Sequence, residues 1–274
     1  GLLQGATRTV ADLASQAIER AGLHEDEHHL VRALQHRLLG AVVAPAGADL
    51  ATRYLPADVA VGIGGDWFDV VATGPARCTV VIGDVTGHGV DAVVTMTQLR
   101  AVLKGLLRAG ETVDGVLDRA EEMLDREDAL LTSTQLFDVD VGSWTVRYVS
   151  AGHPWPLLRR ADGSVEVLDR AQRALLGART ATVPPSAAVA LAPGEALVAY
   201  TDGLVERRTE SIDVGIGRLV DALGDPSAAG LDAAGVVDRL LEASGISSGS
   251  TGGLQDDVAV VVLRRPAAVP GADA

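Results

Sequence analysis

The order of apolar and polar residues divides the chain into strand-like and helix-like stretches. Short apolar or alternating runs, typical of strands, occur at residues 66–72, 78–82, 134–140, 145–151, 156–160, 165–168, 187–191, 196–200 and 258–263. Apolar residues at helical spacing predict helices at 90–109, 112–128, 216–223 and 233–243. A further strand within 46–57 should be an edge strand, because Pro56 cannot donate to a sheet ladder. Two strand-rich halves flanked by helices predict an α+β fold, a four-layer α/β/β/α sandwich of two mainly antiparallel sheets.

Residues 170–185 and 244–253 have no such pattern and are predicted to be loops, the second of them rich in Ser and Gly. The first stretch of the chain, residues 7–40, is predicted to be helical. Apolar residues keep one heptad register at both ends of this stretch, with polar residues in the middle of the same seam. Two helices meeting near Gly22, one long coiled coil and an amphipathic helix packed on its own domain all agree with this pattern. We therefore divide the chain into a helical linker or coiled coil at 1–40, a main domain at 41–266 and a flexible tail at 267–274.

Composition narrows the class of protein. At 274 residues and 47% hydrophobic content, the chain can bury a core of the size expected for one large domain. Its net charge of -14 argues against nucleic acid or an anionic membrane as a partner, since both require clustered Lys and Arg. The single cysteine, Cys78, lies in a predicted core strand, so a disulfide within the chain is excluded. No signal peptide or membrane span is recognisable, and we expect a cytoplasmic location.

Two acidic turns bracket one predicted strand and mark the candidate chemistry. Asp66 follows Gly64 and Gly65, whereas Asp84 follows the apolar run that Gly83 interrupts. If the two flanking strands pair, these carboxylates converge, and repelling carboxylates generally indicate a cation between them.

Two further aspartates, Asp202 and Asp256, also lie at strand ends beside polar or Gly-containing turns. Any one of the four acidic turns could simply hold a loop or cap a helix, but four together favour a cation site. Oxygen ligands of this kind suit Mg²⁺ or Mn²⁺ and disfavour Zn²⁺.

Four motifs, GGDWFD, GDVTGHG, TDG and QDDVAVVVL, occur in this order along the chain. Together they resemble the SpoIIE/RsbU branch of the metal-dependent protein phosphatases, the PPM family to which protein phosphatase 2C belongs. The resemblance extends over residues 38–264 and includes the segments TQLF, SAGHPWPLL and ALLG. It implies the same α/β/β/α sandwich and a serine/threonine protein phosphatase activity.

The resemblance also implies a ligand set for two ions, Mn²⁺ or Mg²⁺: Asp66, Asp84, Val85 through its carbonyl, Asp202 and Asp256. Asp84 would bridge the two ions and is the predicted catalytic residue, because the ions activate the water that attacks phosphorus. Asp69 and Asp257 are predicted to accept hydrogen bonds from metal-bound water, and either could hold a third cation.

The histidines do not match the eukaryotic branch of this family. A leaving-group histidine stands there two residues after the bridging aspartate, at the position of Thr86, whereas His88 lies two residues further on. We interpret His88 as a residue at the start of the following helix and rank His153 below it as a candidate acid. Arg53 precedes the metal turn but is not matched to the family's phosphate-binding arginine, so the phosphate-binding group stays unassigned.

The implied substrate is a phosphorylated protein, a STAS-type anti-sigma factor antagonist in a bacterial sigma-factor pathway. Two alternatives stay open on the sequence: a catalytically weak regulatory binding module that keeps the fold, and a phosphatase of small phosphate esters. Residues 9–21 resemble the closing helix of a GAF-type sensor domain. An upstream sensor domain and a homodimer formed through the N-terminal helix are therefore further expectations.

Overall fold

The computed structural model describes residues 44–57, 64–87, 89–124, 130–178, 184–246 and 254–267. The predicted helical segment at 1–40, His88 and all but the first residue of the predicted tail lie outside these ranges. In the described part, two β-sheets stack face to face and helices cover both outer surfaces, which confirms the predicted α+β sandwich.

The first sheet is antiparallel throughout and has the strand order β1-β11-β10-β6-β7. Its strands are β1 (Asp49–Leu55), β6 (Leu157–Arg159), β7 (Val165–Val167), β10 (Ala196–Tyr200) and β11 (Val258–Arg264). Strand β1 lies at the edge, as predicted from Pro56. In the β1–β11 pair, Asp49 lies opposite Arg264 and Leu55 lies opposite Val258.

The second sheet has the order β2-β3-β4-β5-β8, and β9 also pairs with β5. Its strands are β2 (Trp67–Gly74), β3 (Arg77–Val85), β4 (Thr132–Asp140), β5 (Thr145–Ala151), β8 (Gln172–Arg173) and β9 (Ala187–Ala190). Strand β8 falls in the stretch predicted to be loop. It has only two residues and pairs parallel to β5, so no alternation of apolar and polar positions could reveal it.

Helices α1 (Val90–Arg108) and α2 (Val113–Leu124) pack on the second sheet, and α3 (Ile212–Gly224) and α4 (Ala233–Ala243) pack on the first. Helix α3 begins four residues before its predicted start at Ile216. Three of the four added residues are exposed to solvent, so the spacing of buried apolar residues from which the helix was predicted does not reach them. Among the described residues, no helix combines the length and apolar character that a membrane crossing would require.

The main core lies between the two sheets. It joins Phe68, Val80 and Phe137 of the second sheet to Leu197 and Val261 of the first. The predicted core position of the cysteine is confirmed as well, since its side chain is only 2% exposed. Burial of this continuous apolar layer fixes the ends of the central strands, where the acidic turns lie.

Candidate metal centre

Three of the predicted aspartates converge at one edge of the sandwich. Asp66 immediately precedes β2, Asp84 lies near the end of β3, and Asp202 begins a short 3-10 turn after β10. One carboxylate oxygen from each residue lies within 4.8 Å of the other two. The predicted pairing of the two strands is observed, with Trp67 opposite Gly83, and it brings Asp66 and Asp84 together.

Two glycines allow this close approach. A Cβ at Gly83 would lie 2.4 Å from the Trp67 ring, and a Cβ at Gly65 would lie 2.2 Å from the Val85 carbonyl oxygen. The Val85 amide donates a 3.3 Å hydrogen bond to the Gly65 carbonyl. The carbonyl of Val85, the one predicted backbone ligand, therefore lies against the turn that carries Asp66.

The cluster is electrostatically strained. Burial, with the charge of Asp84, raises the pKa of Asp66 well above its usual value. Burial, with the charges of Asp202 and Asp256, raises the pKa of Asp84 to about 7. Burial and the charge of Asp256 raise the pKa of Asp202 to about 6. In the absence of a cation, these groups therefore hold protons that free aspartates would release.

The donor set fits a hard divalent cation. Oδ2 of Asp66 and Oδ1 of Asp202 are buried and have no hydrogen-bond partner among the described residues. A buried carboxylate oxygen without a donor is costly, and a divalent cation satisfies several such oxygens at once. Carboxylates and a nearby backbone carbonyl are the ligands that Mg²⁺ and Mn²⁺ prefer.

Asp256 and Asp257 lie beside this cluster on the turn before β11. Asp256 is outside the group of three but close enough to raise the pKa of Asp84 and Asp202. Asp257 is buried, and it accepts hydrogen bonds from the Tyr54 hydroxyl and, at 2.6 Å, from the Ala57 amide. Asp257 thus ties the end of β1 to the acidic edge, and its predicted role toward metal-bound water stays a prediction.

Asp69 lies outside the group of three aspartates, and its predicted role toward metal-bound water stays a prediction. Both of its oxygens accept hydrogen bonds from Arg100 of α1, at 2.7 and 2.8 Å, and Lys104 forms an ion pair with it at 2.6 Å. The Asp69 and Arg100 side chains are 6% and 5% exposed. Asp69 therefore clamps α1 to strand β2, and no pattern in the sequence indicated that its cationic partners lie on that helix.

His153 is buried beside the cluster. Its Nδ1 lies 2.7 Å from the Ser133 hydroxyl, and Ser133 is the cross-strand partner of Asp84. Burial lowers the pKa of His153 to about 3, so the imidazole is neutral at physiological pH. A neutral ring fits a structural hydrogen bond better than proton donation. Arg53, the unmatched arginine, forms a 2.9 Å ion pair with Asp238 of α4.

Comparison with known proteins places these observations in a family. A sequence model of the family described as stage II sporulation protein E (SpoIIE) matches residues 74–266. The structure of the RsbU and RsbW domains of Rv1364c from Mycobacterium tuberculosis is 31% identical and superposes with a TM-score of 0.73. It aligns over 84% of this chain and 65% of its own length.

Two more distant structures share the fold. The phosphatase domain of SpoIIE from Bacillus subtilis, solved with a fragment of its regulatory domain, is 18% identical with a TM-score of 0.62, over 82% of this chain and 64% of that one. The catalytic domain of the serine/threonine phosphatase PstP, in complex with two manganese ions, is 20% identical with a TM-score of 0.50, over 79% and 97% of the two chains. The chain thus spans slightly less than two thirds of the RsbU–RsbW and SpoIIE structures.

Proposed function

This chain belongs to the SpoIIE family within the PPM, or protein phosphatase 2C-like, phosphatases, and on that premise we propose that it is a metal-dependent protein serine/threonine phosphatase. The observation that supports the proposal most directly is the convergence of Asp66, Asp84 and Asp202, with buried oxygens that lack hydrogen-bond partners. A purely structural turn would have paired these oxygens with donors from the protein.

Asp66, Asp84 and Asp202 would hold two divalent ions, Mn²⁺ or Mg²⁺, together with the Val85 carbonyl and Asp256. Such a pair of ions, when bound, lowers the pKa of the attacking water and neutralises the phosphoryl oxygens. The protein itself provides rigid placement. Asp84 lies opposite Ser133 of β4, and its neighbour Gly83 lies opposite Trp67 of β2, so paired strands hold the backbone at this position. The catalytic carboxylate is therefore positioned before any ligand arrives.

For the substrate, we propose the phosphoserine or phosphothreonine of a STAS-type anti-sigma factor antagonist in a bacterial sigma-factor pathway. The support is the family and the 31% identical relative, whose structure contains an RsbU domain together with an RsbW domain. Dimerisation through residues 7–39 stays a prediction about residues outside the described ranges, and an upstream sensor domain stays a prediction as well.

The first test is hydrolysis of p-nitrophenyl phosphate in Mn²⁺, Mg²⁺ and EDTA, followed by phosphoserine peptides and the phosphorylated antagonist. We expect activity with either metal, none in EDTA, and a higher kcat/KM for the phosphoprotein than for the small ester. Asp84→Asn should lose activity by several orders of magnitude.

Asp138→Asn is the matched control, because Asp138 lies on the neighbouring strand β4 and forms an ion pair with Arg77 at 2.7 Å. This control should keep its activity. Full activity of Asp84→Asn, or of the unmodified protein in EDTA, would refute the proposed metal centre. A higher kcat/KM for the small ester than for every phosphoprotein tested would refute the proposed substrate class.

A further inference from the structure

A cavity of about 400 Å³ opens directly beside the acidic cluster. Asp84 and Asp202 line one part of it. The remaining walls include four large apolar side chains, here called the apolar groove: Trp155, Leu175, Ile212 and Ile216. Whatever places a phosphate at the aspartates therefore also brings its neighbouring groups to the apolar groove.

Trp155 is exposed, yet its backbone is held firmly. It lies between Pro154 and Pro156, so both neighbours have a fixed φ angle and Trp155 itself is restricted to extended conformations. Gln135 donates a 2.7 Å hydrogen bond to the Pro154 carbonyl, and the Leu168 amide donates one of 2.9 Å to Pro156. Trp155 as a whole is 41% exposed on this support. A large apolar group held in place before binding loses little entropy when it is covered.

The helical wall of the groove is fixed to the acidic cluster. Ile212 and Ile216 are four residues apart on α3, so they lie on the same face of the helix. A Cβ at Gly215 would lie 2.1 Å from the Val205 carbonyl oxygen, which shows that the helix backbone rests directly on that residue. Val205 directly follows the 3-10 turn that Asp202 begins. The position of the groove is thus tied to the position of Asp202.

The charges around the cavity favour apolar recognition. The described residues that line it include three carboxylates, those of Asp84, Asp202 and Asp213, and neither Arg nor Lys. These walls offer a phosphorylated segment no cationic side chain. Apart from the metal site, the main source of binding free energy in the cavity is the burial of apolar surface. This surface includes the exposed parts of Trp155 and of Ile212, which is 39% exposed.

We propose that the apolar groove binds one large apolar side chain of the phosphorylated segment, close in sequence to the phosphoserine or phosphothreonine, and thereby selects the substrate. This inference rests on the proposed phosphatase function and adds a specificity element to it. The occupant is a side chain of the size of Leu, Ile, Met or Phe in the substrate protein. A segment with only small polar residues around the phosphate would leave the groove exposed to water.

The test uses phosphoserine peptides with a Gly/Ser background and one Leu, placed in turn at each position from three before to three after the phosphoserine. With the unmodified protein in Mn²⁺, we expect kcat/KM to be about tenfold higher for at least one Leu position than for the Leu-free peptide, as is typical of a single apolar pocket. This ratio is the preference to be measured.

Trp155→Ala and Ile212→Ser should each reduce the preference to near unity. Val214→Ser is the matched control, because Val214 lies on the same helix, is 50% exposed and is not among the residues that line the cavity. The control should keep the preference.

Equal kcat/KM for all peptides, or an unchanged preference in both groove variants, would overturn the inference while the proposed function stands. If the unmodified protein hydrolyses none of the phosphopeptides, the inference is overturned. The proposed function is overturned with it if p-nitrophenyl phosphate and the phosphorylated antagonist are not hydrolysed either.

Discussion

Asp84→Asn should stabilise the metal-free protein while it abolishes activity. In the absence of a cation, Asp84 is an acid whose pKa is raised from 3.8 to about 7 by burial and by the charges of Asp202 and Asp256. Its charge therefore opposes folding. An asparagine has nearly the same shape but carries no charge, so the substitution removes this repulsion and leaves the packing in place.

The size of the effect follows from the pKa. One pKa unit corresponds to about 1.4 kcal/mol, so a pKa that rises from 3.8 to about 7 costs about 4 kcal/mol once Asp84 is ionised. Because Asp84 is only half-buried, solvent screens part of this cost. We expect a gain of about 2 kcal/mol in the free energy of unfolding at pH 8, or a melting temperature higher by about 4 to 8 °C for a domain of this size.

The direction of the pKa shift determines how the stabilising effect of Asp84→Asn depends on pH. The folded protein holds the Asp84 proton more tightly than the unfolded chain, so the penalty is absent below pH about 4, grows as the pH rises, and is complete above pH about 7. The advantage of Asp84→Asn should therefore be large at pH 8 and small at pH 5. His153, whose pKa burial lowers to about 3, titrates in both proteins and cancels in the difference.

The assay is urea unfolding in EDTA at pH 5 and pH 8, repeated in Mn²⁺. With Mn²⁺ the order should reverse, because the unmodified cluster gains a bound cation that the variant holds poorly. If Asp84→Asn is less stable than the unmodified protein in EDTA at pH 8, or if its advantage is the same at both pH values, the carboxylate repulsion inferred here is wrong.

Three further predictions concern the surroundings of the cluster. Adding Mn²⁺ to the EDTA-treated protein should raise its melting temperature in calorimetry, and an unchanged value would show that no cation is held. Gly65→Ala should lower phosphatase activity at least about a hundredfold, because the new methyl group would lie 2.2 Å from the Val85 carbonyl oxygen. Unchanged kcat and KM would mean that the turn can shift without loss of activity. Asp69→Asn should lower the free energy of unfolding, measured in urea, by about 3 kcal/mol, because it removes the carboxylate that Arg100 and Lys104 share. A loss below about 1 kcal/mol would mean that these ion pairs contribute no more than ordinary surface ion pairs.

Local signals were sufficient to predict much of the fold. Strands β5 and β10 and helix α4 begin and end where the sequence predicts, because β-branched runs, turn residues and helical spacing mark both ends of each. The convergence of Asp66 and Asp84 was predictable for a related reason. Asp66 directly precedes β2 and Asp84 lies near the end of β3. These two strands are joined by a short connection, so their pairing brings the carboxylates together.

Contacts between distant segments were not predictable from these signals. The alternation along β2 places Asp69 on a strand but says nothing about Arg100, which lies on a helix 31 residues away and holds that carboxylate. The apolar groove was not predictable for the same reason, since Trp155 and Ile212 are distant in sequence and line one cavity only in the folded protein. Nothing local distinguishes an exposed Trp beside a catalytic site from one on an ordinary surface.

The pairing of β1 with β11 brings the two ends of the described domain side by side. Asp49 and Arg264 lie side by side, so the chain arrives and departs within one strand spacing, about 5 Å. From there the same two strands run seven residues, about 23 Å, to the turn that bears Asp257. The paired strands β1 and β11 therefore form one direct connection between the ends of the described domain and the acidic edge. The domain can also be inserted into a longer polypeptide with almost no increase in the distance between the segments that it separates.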